Sequence, residues 1–468
     1  MTAHWIGRVT DALVVWLALS AGAGLTVLAA GATVSDWLLP ACGLAALPLS
    51  RQVLAEVALT RREAWTLALV GAALLTTFVA LCFGADATPS RHWDGAVAWD
   101  VKSALLTADL TLDQAAFREP AILHHSRDYP LAQPLLVAML ERWTGSGRLV
   151  LPLMWAVACL ALFVGARRRG VSPGLAAVTA AAFGLTPALV STHSGGVDSG
   201  YADFMLAAWA TVAAAGCVGR DRRWIALGVA MMAWSKPEGL PYGGALVVAA
   251  WFCSDRSILF AASLGLAAGA GVLLPLQHQL VWADRAPLPS AVYAVAIAPS
   301  ALAVASDLLL NRLRSARQRL VIGLVLGAAL WACLPLVAEW SGNERGSLAR
   351  YLREVDRLWE RITLIPEVGG AVFDHGVLRG RFALTGVAVL AMSALSHRAR
   401  LGAQALGVWL VWLLPIWFAT FAVSDLELEH HLRSRVPRLL IHATGIAWAF
   451  VASALPLRDA GEKTAASA

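Results

Sequence analysis

Ionisable side chains recur at the edges of long apolar runs in this sequence. A charge close to lipid is costly, so such residues indicate a functional site by default. Carboxylates there could accept a proton, and lysine, arginine or histidine could bind a phosphate. The residues predicted to share one side of a membrane are His92, Asp94, Asp100, Lys102, His124, His125, Arg127, Asp128, His193, Asp198, Asp203, Lys236, Glu238, Asp425, Glu427, Glu429, His430, His431, Arg433 and Arg438.

Asp94 lies in the segment His92-Trp93-Asp94-Gly95, shortly after an apolar run. Its spacing favours a helix N-cap, a position that aspartate prefers. Asp94 could also act as a general base beside a lipid-borne substrate, and the two roles can coexist. Asp100 follows it on the same predicted helix and would point about 120° away. The sequence therefore predicts a single base and no carboxylate pair.

Two further segments combine charges with breaks in the apolar pattern. In Lys236-Pro237-Glu238-Gly239, proline and glycine turn the chain between two short apolar runs. Lys236 could pair with Glu238 at this turn, or it could face a phosphate. The segment from Asp425 to Arg438 mixes acids, histidines and arginines before the last apolar run. It could anchor the chain through snorkelling side chains, or it could bind a lipid phosphate.

The composition predicts the element type that positions these residues. The chain is 58% hydrophobic and 15% charged, with a mean hydropathy of +0.65, whereas soluble domains are about 45–50% apolar and about 25% charged. The apolar runs are too long and too unalternating for barrel strands, which leaves helices. We predict an all-α integral membrane protein with about 14 transmembrane helices. The clearest spans are Ala12 to Ala30, Leu67 to Phe83, Val150 to Ala166, Ile258 to Leu280, Leu320 to Ala338, Leu401 to Val423 and Leu439 to Leu457, and the runs Trp37 to Leu49 and Trp224 to Trp234 are short.

Basic residues in the short connections predict the orientation, because such residues favour the cytoplasmic side. With a cytoplasmic N-terminus, that side receives Arg51, Arg61, Arg62, Arg167, Arg168, Arg169, Arg220, Arg222, Arg223, Arg256, Arg312, Arg314, Arg317, Arg319, Arg398 and Arg400. Both termini are then cytoplasmic, and residues 1–468 form a single membrane unit. Two long segments fall on the outer side, Gly84 to Gly147 and Glu339 to Leu378.

Helical spacing marks parts of both outer segments. Gly95 to Ala108 is predicted to be a helix lying on the membrane, and a second helix is predicted from Tyr129-Pro130 through Leu140. The apolar face of the first helix would comprise Val97, Val101, Leu105 and Ala108, with Lys102 elsewhere. Ser347 to Arg361 has interleaved charges typical of a solvated amphipathic helix.

Charge and composition argue against several other functions. The net charge of +6 is explained by the inner connections, so no nucleic-acid partner is predicted. The six cysteines lie inside apolar runs without metal or redox spacing, and no pair of histidines has a diagnostic ligand spacing. The sequence leaves open whether a divalent ion participates and predicts no other cofactor. It has no Gly-rich phosphate loop of the kind that nucleotide enzymes use.

Five motifs occur in a fixed order along the chain. They are Trp93-Asp94 with Trp99 and Lys102, Asp128-Tyr129-Pro130-Leu131, Tyr201-Ala202-Asp203, Lys236-Pro237-Glu238-Gly239, and Asp425-Leu426 through His431-Leu432 to Arg438. This series resembles the bacterial membrane glycosyltransferases of the C-type fold, in the dolichyl-phosphate-mannose protein mannosyltransferase-like group. The resemblance extends from Trp93 to Arg438 and depends on the order of the motifs.

This resemblance implies roles for particular residues. Asp94 would be the catalytic base, and Lys102, Lys236, His431 and Arg438 would bind the donor phosphate. The substrate cavity would be formed with Asp100, Asp128, Tyr129, Asp203 and Glu238. Two positions depart from the pattern, because Pro237 replaces an asparagine and His430 stands where an aromatic residue is expected.

The resemblance also implies a reaction and a location. A sugar would move, with inversion, from a polyprenyl-phosphate donor to a glycan, lipid or protein acceptor on the outer side of the bacterial cytoplasmic membrane. Membrane lipid would be a further partner. Because the lipid phosphate is a good leaving group, the protein mainly has to position the acceptor, accept its proton and neutralise the phosphate.

Two alternatives remain open. A transporter or flippase for a lipid-linked glycan would also need many helices and a charged cavity, but it is expected to show polar breaks near mid-membrane and two related halves. Here the ionisable residues crowd one edge and the halves do not match, which favours an enzyme. In a non-catalytic assembly subunit, the polar cluster would be purely structural.

Overall fold

A computed structural model describes residues 4–50, 54, 59–87, 95–119, 129–190, 196–197, 199–282, 301, 305, 318, 360–378, 380–395, 401–422 and 428–457. The longer elements in these ranges are helices. In chain order they are α1 (His4–Ala29), α2 (Leu38–Leu49), α3 (Arg61–Ala87), α4 (Val101–Ala108), α5 (Ala115–Arg118), α6 (Ala132–Thr144), α7 (Val150–Arg169), α8 (Pro173–Gly184), α9 (Pro187–Val190), α10 (Ala202–Gly219), α11 (Arg222–Ser235), α12 (Gly239–Phe252), α13 (Arg256–Trp282), α14 (Ile365–Phe373), α15 (Ala383–Leu395), α16 (Leu401–Ala422) and α17 (Leu428–Ala454). Short π-helices cover Gly95–Asp100 and Asp374–Leu378, and short 3-10 turns cover Gly147–Leu149, Ile362–Leu364 and Gly380–Phe382.

Seven helices in the described part of the chain are long and apolar enough to cross a membrane. They lie at Trp5–Ala29, Arg61–Ala85, Gly147–Arg169, Ala202–Gly219, Arg256–Gln277, Gln404–Ala422 and Leu428–Ala454. The bent pair Ile362–Leu378 and Ala383–Ser393 raises the number to eight if it is one span. The chain is therefore an all-α, multi-pass membrane protein, and its described residues hold seven or eight candidate spans rather than the predicted total of about 14.

Helix length explains much of the overestimate. The apolar helices Leu38–Leu49 and Pro173–Gly184 have 12 residues each, and Gly239–Phe252 has 14. At 1.5 Å per residue such helices reach about 18–21 Å, whereas a bilayer core is about 30 Å thick. The predicted span Leu320 to Ala338 and most of the predicted helix Ser347 to Arg361 lie outside the described residues.

The innermost helix is α10. Every residue from Ala202 to Val218 is buried, and the helix packs against α7, α11 and α17. By contrast, α3 exposes Leu69, Leu75 and Phe83, as a lipid-facing helix would. A polar side chain on α10 therefore has to find its partners on neighbouring helices.

A glycine allows α17 to approach α10 closely. A Cβ atom at Gly445 would lie 1.7 Å from the hydroxyl oxygen of Thr211. Small residues at helix contacts are the usual means of close packing in membranes. This contact fixes α17 beside α10, and the more N-terminal part of α17 carries Arg438 and His442.

Ion pairs join the helices at one end of the bundle. Arg223 binds Asp11 at 2.9 Å, Arg168 binds Asp221 at 2.9 Å, and Arg220 binds Asp255 at 2.5 Å. Arginines that the sequence assigns to a common side thus lie together. Arg220 and Arg223 follow the C-terminal end of α10, and Ala202 marks its other end.

The segment that begins at Gly95 is helical as predicted, but it buries a different face. Ala98, Trp99, Lys102 and Leu106 are buried, whereas Val97, Val101 and Leu105 are half-buried and Ala108 is exposed. The predicted face is wrong because the spacing of aliphatic residues ignores the large aromatic surface of Trp99. A lysine can also bury its methylene stem. The second predicted helix is confirmed as α6.

The C-terminal end of α6 is tied to the connection between α1 and α2. The Arg142 guanidinium binds both carboxylate oxygens of Asp36, at 2.5 and 2.9 Å. The hydrogen bond from Arg142 holds the pKa of Asp36 below its usual value. Trp37 and Trp143 contact each other edge-to-face at 5.1 Å. Both are exposed, as expected for indoles at a membrane interface.

Replacing Gly445 by valine is expected to separate α10 from α17 and destabilise the protein by about 1–3 kcal/mol, the usual cost of overpacking. The measurement is the thermal midpoint of detergent-solubilised protein. The matched control is Gly71→Val on α3, where a Cβ would meet nothing within 4 Å. Equal midpoints for the two variants would contradict the close-packing account.

Candidate functional site

Asp203 is the centre of a buried polar cluster at the start of α10. Its Oδ1 atom lies 2.7 Å from Lys236 Nζ and 2.8 Å from His442 Nε2. Its Oδ2 atom accepts hydrogen bonds from Arg438 Nε at 3.1 Å and Arg438 Nη2 at 2.8 Å. The Asp203 side chain is 0% exposed. Helices α10 and α17 and the C-terminal end of α11 thus meet at a single carboxylate.

This arrangement uses the full acceptor capacity of Asp203. An ionised carboxylate offers about four lone-pair positions, and four nitrogen atoms surround the Asp203 oxygens. A buried charge is tolerated when it is paired and hydrogen-bonded. Asp203 therefore acts as a fixed anion that holds two cations, and it is poorly suited to accepting a proton from a substrate.

Lys236 is shared by two acids. Besides binding Asp203, its Nζ atom lies 3.3 Å from Glu238 Oε1, so the ion pair considered from the sequence is present. Burial acts to raise the pKa of Glu238, but the nearby Lys236 ammonium together with smaller contributions from neighbouring groups outweighs burial, and the pKa lies below its usual value. Gly239 makes the turn possible, because a Cβ there would lie 1.9 Å from the Met232 carbonyl oxygen.

Arg438 lies at the more accessible edge of the cluster. Its side chain is 17% exposed, compared with 5% for Lys236. The guanidinium carbon is 4.5 Å from the centroid of the Tyr201 ring. Stacking on Tyr201 and the two bonds to Asp203 orient the planar guanidinium, which suits it to phosphate recognition.

Three residues that the sequence analysis does not single out lie on the more deeply buried side of the cluster. They are His442, Tyr242 and Trp417. His442 Nδ1 lies 3.0 Å from the Tyr242 hydroxyl, which also accepts a 2.7 Å hydrogen bond from Trp417 Nε1. His442 and Tyr242 are fully buried. His442 lies within the predicted span Leu439 to Leu457, and an ionisable residue inside a span was the available signal.

Lys102 belongs to a neighbouring cluster. Its Nζ atom donates to the Tyr129 carbonyl oxygen at 3.0 Å and lies 5.9 and 5.8 Å from the Trp99 and Tyr129 ring centroids. Trp99 and Ala98 pack against Ala202, which directly precedes Asp203. The helical segment from Gly95 to Ala108 is thereby connected to the start of α10.

A second contact strengthens this connection. Gln133, in the first turn of α6, donates from Nε2 to the Gly200 carbonyl oxygen at 2.9 Å. Gln133 is buried. The segment from Gly95 to Ala108 and helix α6 therefore both contact the residues just before Asp203.

The remaining predicted site residues lie elsewhere. Asp100 binds Arg148, and burial raises the pKa of Asp100 although Arg148 opposes this shift. His431 is buried beside Phe421 at a ring distance of 5.0 Å, and neither ring nitrogen has a hydrogen-bond partner among the described residues. Asp94 and Asp128 lie outside those residues, so their roles stay predictions.

No metal ligand set is present in the part of the chain that the structure describes, where no three His, Cys, Asp or Glu side chains are grouped to hold an ion. The described cysteines are Cys42, Cys82, Cys159, Cys217 and Cys253, and all are free.

Comparison with known proteins adds no family assignment. No protein-family model matches the chain, and no curated protein or solved structure matches it significantly. The findings identify a polytopic, all-helical membrane protein with a buried polar cluster at one end of its central helix.

Proposed function

We propose that the protein is a membrane glycosyltransferase of the C-type fold that transfers a sugar from a polyprenyl-phosphate donor to an acceptor outside the cytoplasm. The observation that carries the proposal is the convergence of Lys236 and Arg438 on Asp203, beside the Lys102 cluster. Lys102 and Arg438 also lie against aromatic rings. Cations that are fixed in this way near a membrane edge suit a lipid-linked phosphate.

The charges of the two clusters support this substrate class. Lys236 and Arg438 bind the Asp203 carboxylate, and Lys236 also lies beside Glu238. In the neighbouring cluster, the Lys102 ammonium lies near the Trp99 and Tyr129 rings. The phosphodiester of a polyprenyl-phosphate sugar carries one negative charge, and the leaving polyprenyl phosphate gains more. Cations held in fixed positions therefore favour the departing group over the bound donor.

Asp94 supplies the base in this scheme. The acceptor hydroxyl attacks the anomeric carbon as the bond from that carbon to the phosphate oxygen breaks, and the hydroxyl proton passes to the Asp94 carboxylate. The position of Trp99 supports this role. The segment that follows Asp94 in sequence packs against Ala202, next to the cationic cluster.

The two ends of α10 support the proposed location of the site outside the cytoplasm. Asp203 lies at one end of this helix, and Arg220, Arg223 and their ion pairs follow its other end. The positive-inside rule assigns the arginine-rich end to the cytoplasm. The active site would then face the bacterial periplasm or its equivalent, where lipid-linked donors are available and nucleotide sugars are not.

A transporter or flippase of a lipid-linked glycan is the second candidate. One observation favours it. From Asp203, hydrogen bonds lead on to His442 on α17 and from His442 to Tyr242 on α12. Buried carboxylate, histidine and tyrosine groups in series are typical of proton relays in transporters. A transporter would move the intact donor, whereas a transferase would release polyprenyl phosphate.

Replacing Asp94 by asparagine is expected to lower sugar transfer by a factor of about 100 or more, because a general base usually contributes that much. The measurement is release of polyprenyl phosphate from a panel of polyprenyl-phosphate sugars by membranes that contain acceptor extract. Asp109→Asn, at an exposed acid in the same outer segment, is the control and should keep wild-type release. Equal release by Asp94→Asn would remove Asp94 as the base, and no release from any donor by wild type would favour the transporter.

Replacing Lys102 by glutamine is expected to weaken polyprenyl phosphate binding about tenfold or more, since a hydrogen bond to a charged group contributes about 1.5–3 kcal/mol. Binding to purified protein in detergent gives the dissociation constant. The control is Arg433→Gln, because Arg433 is exposed and pairs with Glu429 on the surface of α17. Unchanged affinity in folded Lys102→Gln protein would exclude a contact between Lys102 and the phosphate.

A further inference from the structure

Four helices contribute to one hydrogen-bonded series behind the cationic cluster. Trp417 on α16 contacts Tyr242 on α12 at 2.7 Å, Tyr242 contacts His442 on α17 at 3.0 Å, and His442 contacts Asp203 on α10 at 2.8 Å. Trp409, also on α16, donates from Nε1 to the Tyr242 carbonyl oxygen at 3.0 Å. Tyr242 is therefore fixed by hydrogen bonds to both its backbone carbonyl oxygen and its side-chain hydroxyl.

The chemistry of the groups gives this series a direction. An indole nitrogen can only donate, so the Tyr242 oxygen accepts from Trp417. An ionised Asp203 can only accept, so His442 Nε2 carries a proton. The Tyr242 hydroxyl then donates to His442 Nδ1, and the neutral imidazole is held as a single tautomer.

The charged groups around His442 agree with a neutral ring. Asp203 faces it from α10, Lys236 and Glu238 lie in the turn before α12, and Arg438 is one turn earlier on α17. The two cations in this set balance the two carboxylates. A neutral His442 thus contributes a directed N–H group without adding a further buried charge.

We infer that His442 and Tyr242 are positioning residues that fix Asp203, and through Asp203 hold Lys236 and Arg438 where they meet the donor phosphate. This inference rests on the proposed function. Lys236 and Arg438 have long stems with many rotamers, so a fixed carboxylate between them restricts both before the donor arrives. Asp203 has no exposed surface, so its effect on the phosphate is transmitted by these two cations.

The experiment compares two replacements of His442. His442→Leu removes the N–H donor, whereas in His442→Gln an amide N–H can donate to Asp203 and the amide oxygen can accept from Tyr242. Dissociation constants for polyprenyl phosphate and thermal midpoints are measured on purified full-length proteins. Tyr242→Phe is the second test of the series, and Asp109→Asn, at an exposed acid outside the cluster, is the control.

We expect His442→Leu to weaken polyprenyl phosphate binding at least tenfold, Tyr242→Phe at least threefold, and His442→Gln less than threefold relative to wild type. If His442 had a purely structural role, its replacement would lower the thermal midpoint, but His442→Leu and His442→Gln would bind polyprenyl phosphate with equal affinity. Wild-type affinity in Tyr242→Phe and in folded His442→Leu would overturn the positioning role. If His442→Leu does not fold, equal weakening in His442→Gln and Tyr242→Phe would overturn it.

The wild-type protein separates this inference from the proposed function. Binding of polyprenyl phosphate by wild type together with unaltered binding by the variants would refute the positioning role alone. Absence of binding by wild type would refute the donor class, and the positioning role with it.

Discussion

The burial of one carboxylate governs the architecture around the site. Asp203 lies on α10, whose surface is covered on all sides, and removing an ionised carboxylate from water costs several kcal/mol unless partners compensate. The compensation comes from Lys236, Arg438 and His442, which reach Asp203 from two other helices. The packing of α10 against α11 and α17 is consequently coupled to the geometry of the cations.

This coupling between helix packing and the positions of the cations also links the fold to the proposed chemistry. Gly445 lets α17 approach α10, Gly239 lets the turn after α11 close, and Trp99 brings the segment from Gly95 to Ala108 onto Ala202. Each contact lies outside the group of charges, but each fixes an element that carries one of them. A cationic site held in this way needs little rearrangement when a phosphate binds, which is the physical basis of electrostatic preorganisation.

The sequence identified residues of the cluster where ionisable side chains interrupt the apolar runs. Lys236, Glu238, Asp203 and Arg438 were selected because ionisable groups beside lipid need a reason, and the structure brings all four together. Tyr242 and Trp417 were missed because their residue types fit an apolar run, and only the tertiary contacts reveal their hydrogen bonds. Which partner a buried charge selects depends on helix packing, which local patterns do not encode.

Hydropathy was a less reliable guide to the number of membrane-spanning helices and to which face of a helix is buried. Runs such as Leu38–Leu49 are as apolar as true spans but end too soon to cross a bilayer. Lys102 was expected away from the apolar face, yet it is buried and its ammonium lies near the Trp99 and Tyr129 rings. Aromatic surface and an amphipathic side chain outweighed the spacing of aliphatic residues there.

A double-mutant cycle between Asp203→Asn and Arg438→Gln, read as unfolding free energies of the purified protein, tests the central claim most directly. If Arg438 compensates the buried charge of Asp203, the two effects are not additive, and the coupling is about 0.5–3 kcal/mol. The double variant should then be more stable than the sum of the single effects predicts. Strict additivity would contradict the account, because it would mean that the charge of Asp203 is stabilised without Arg438.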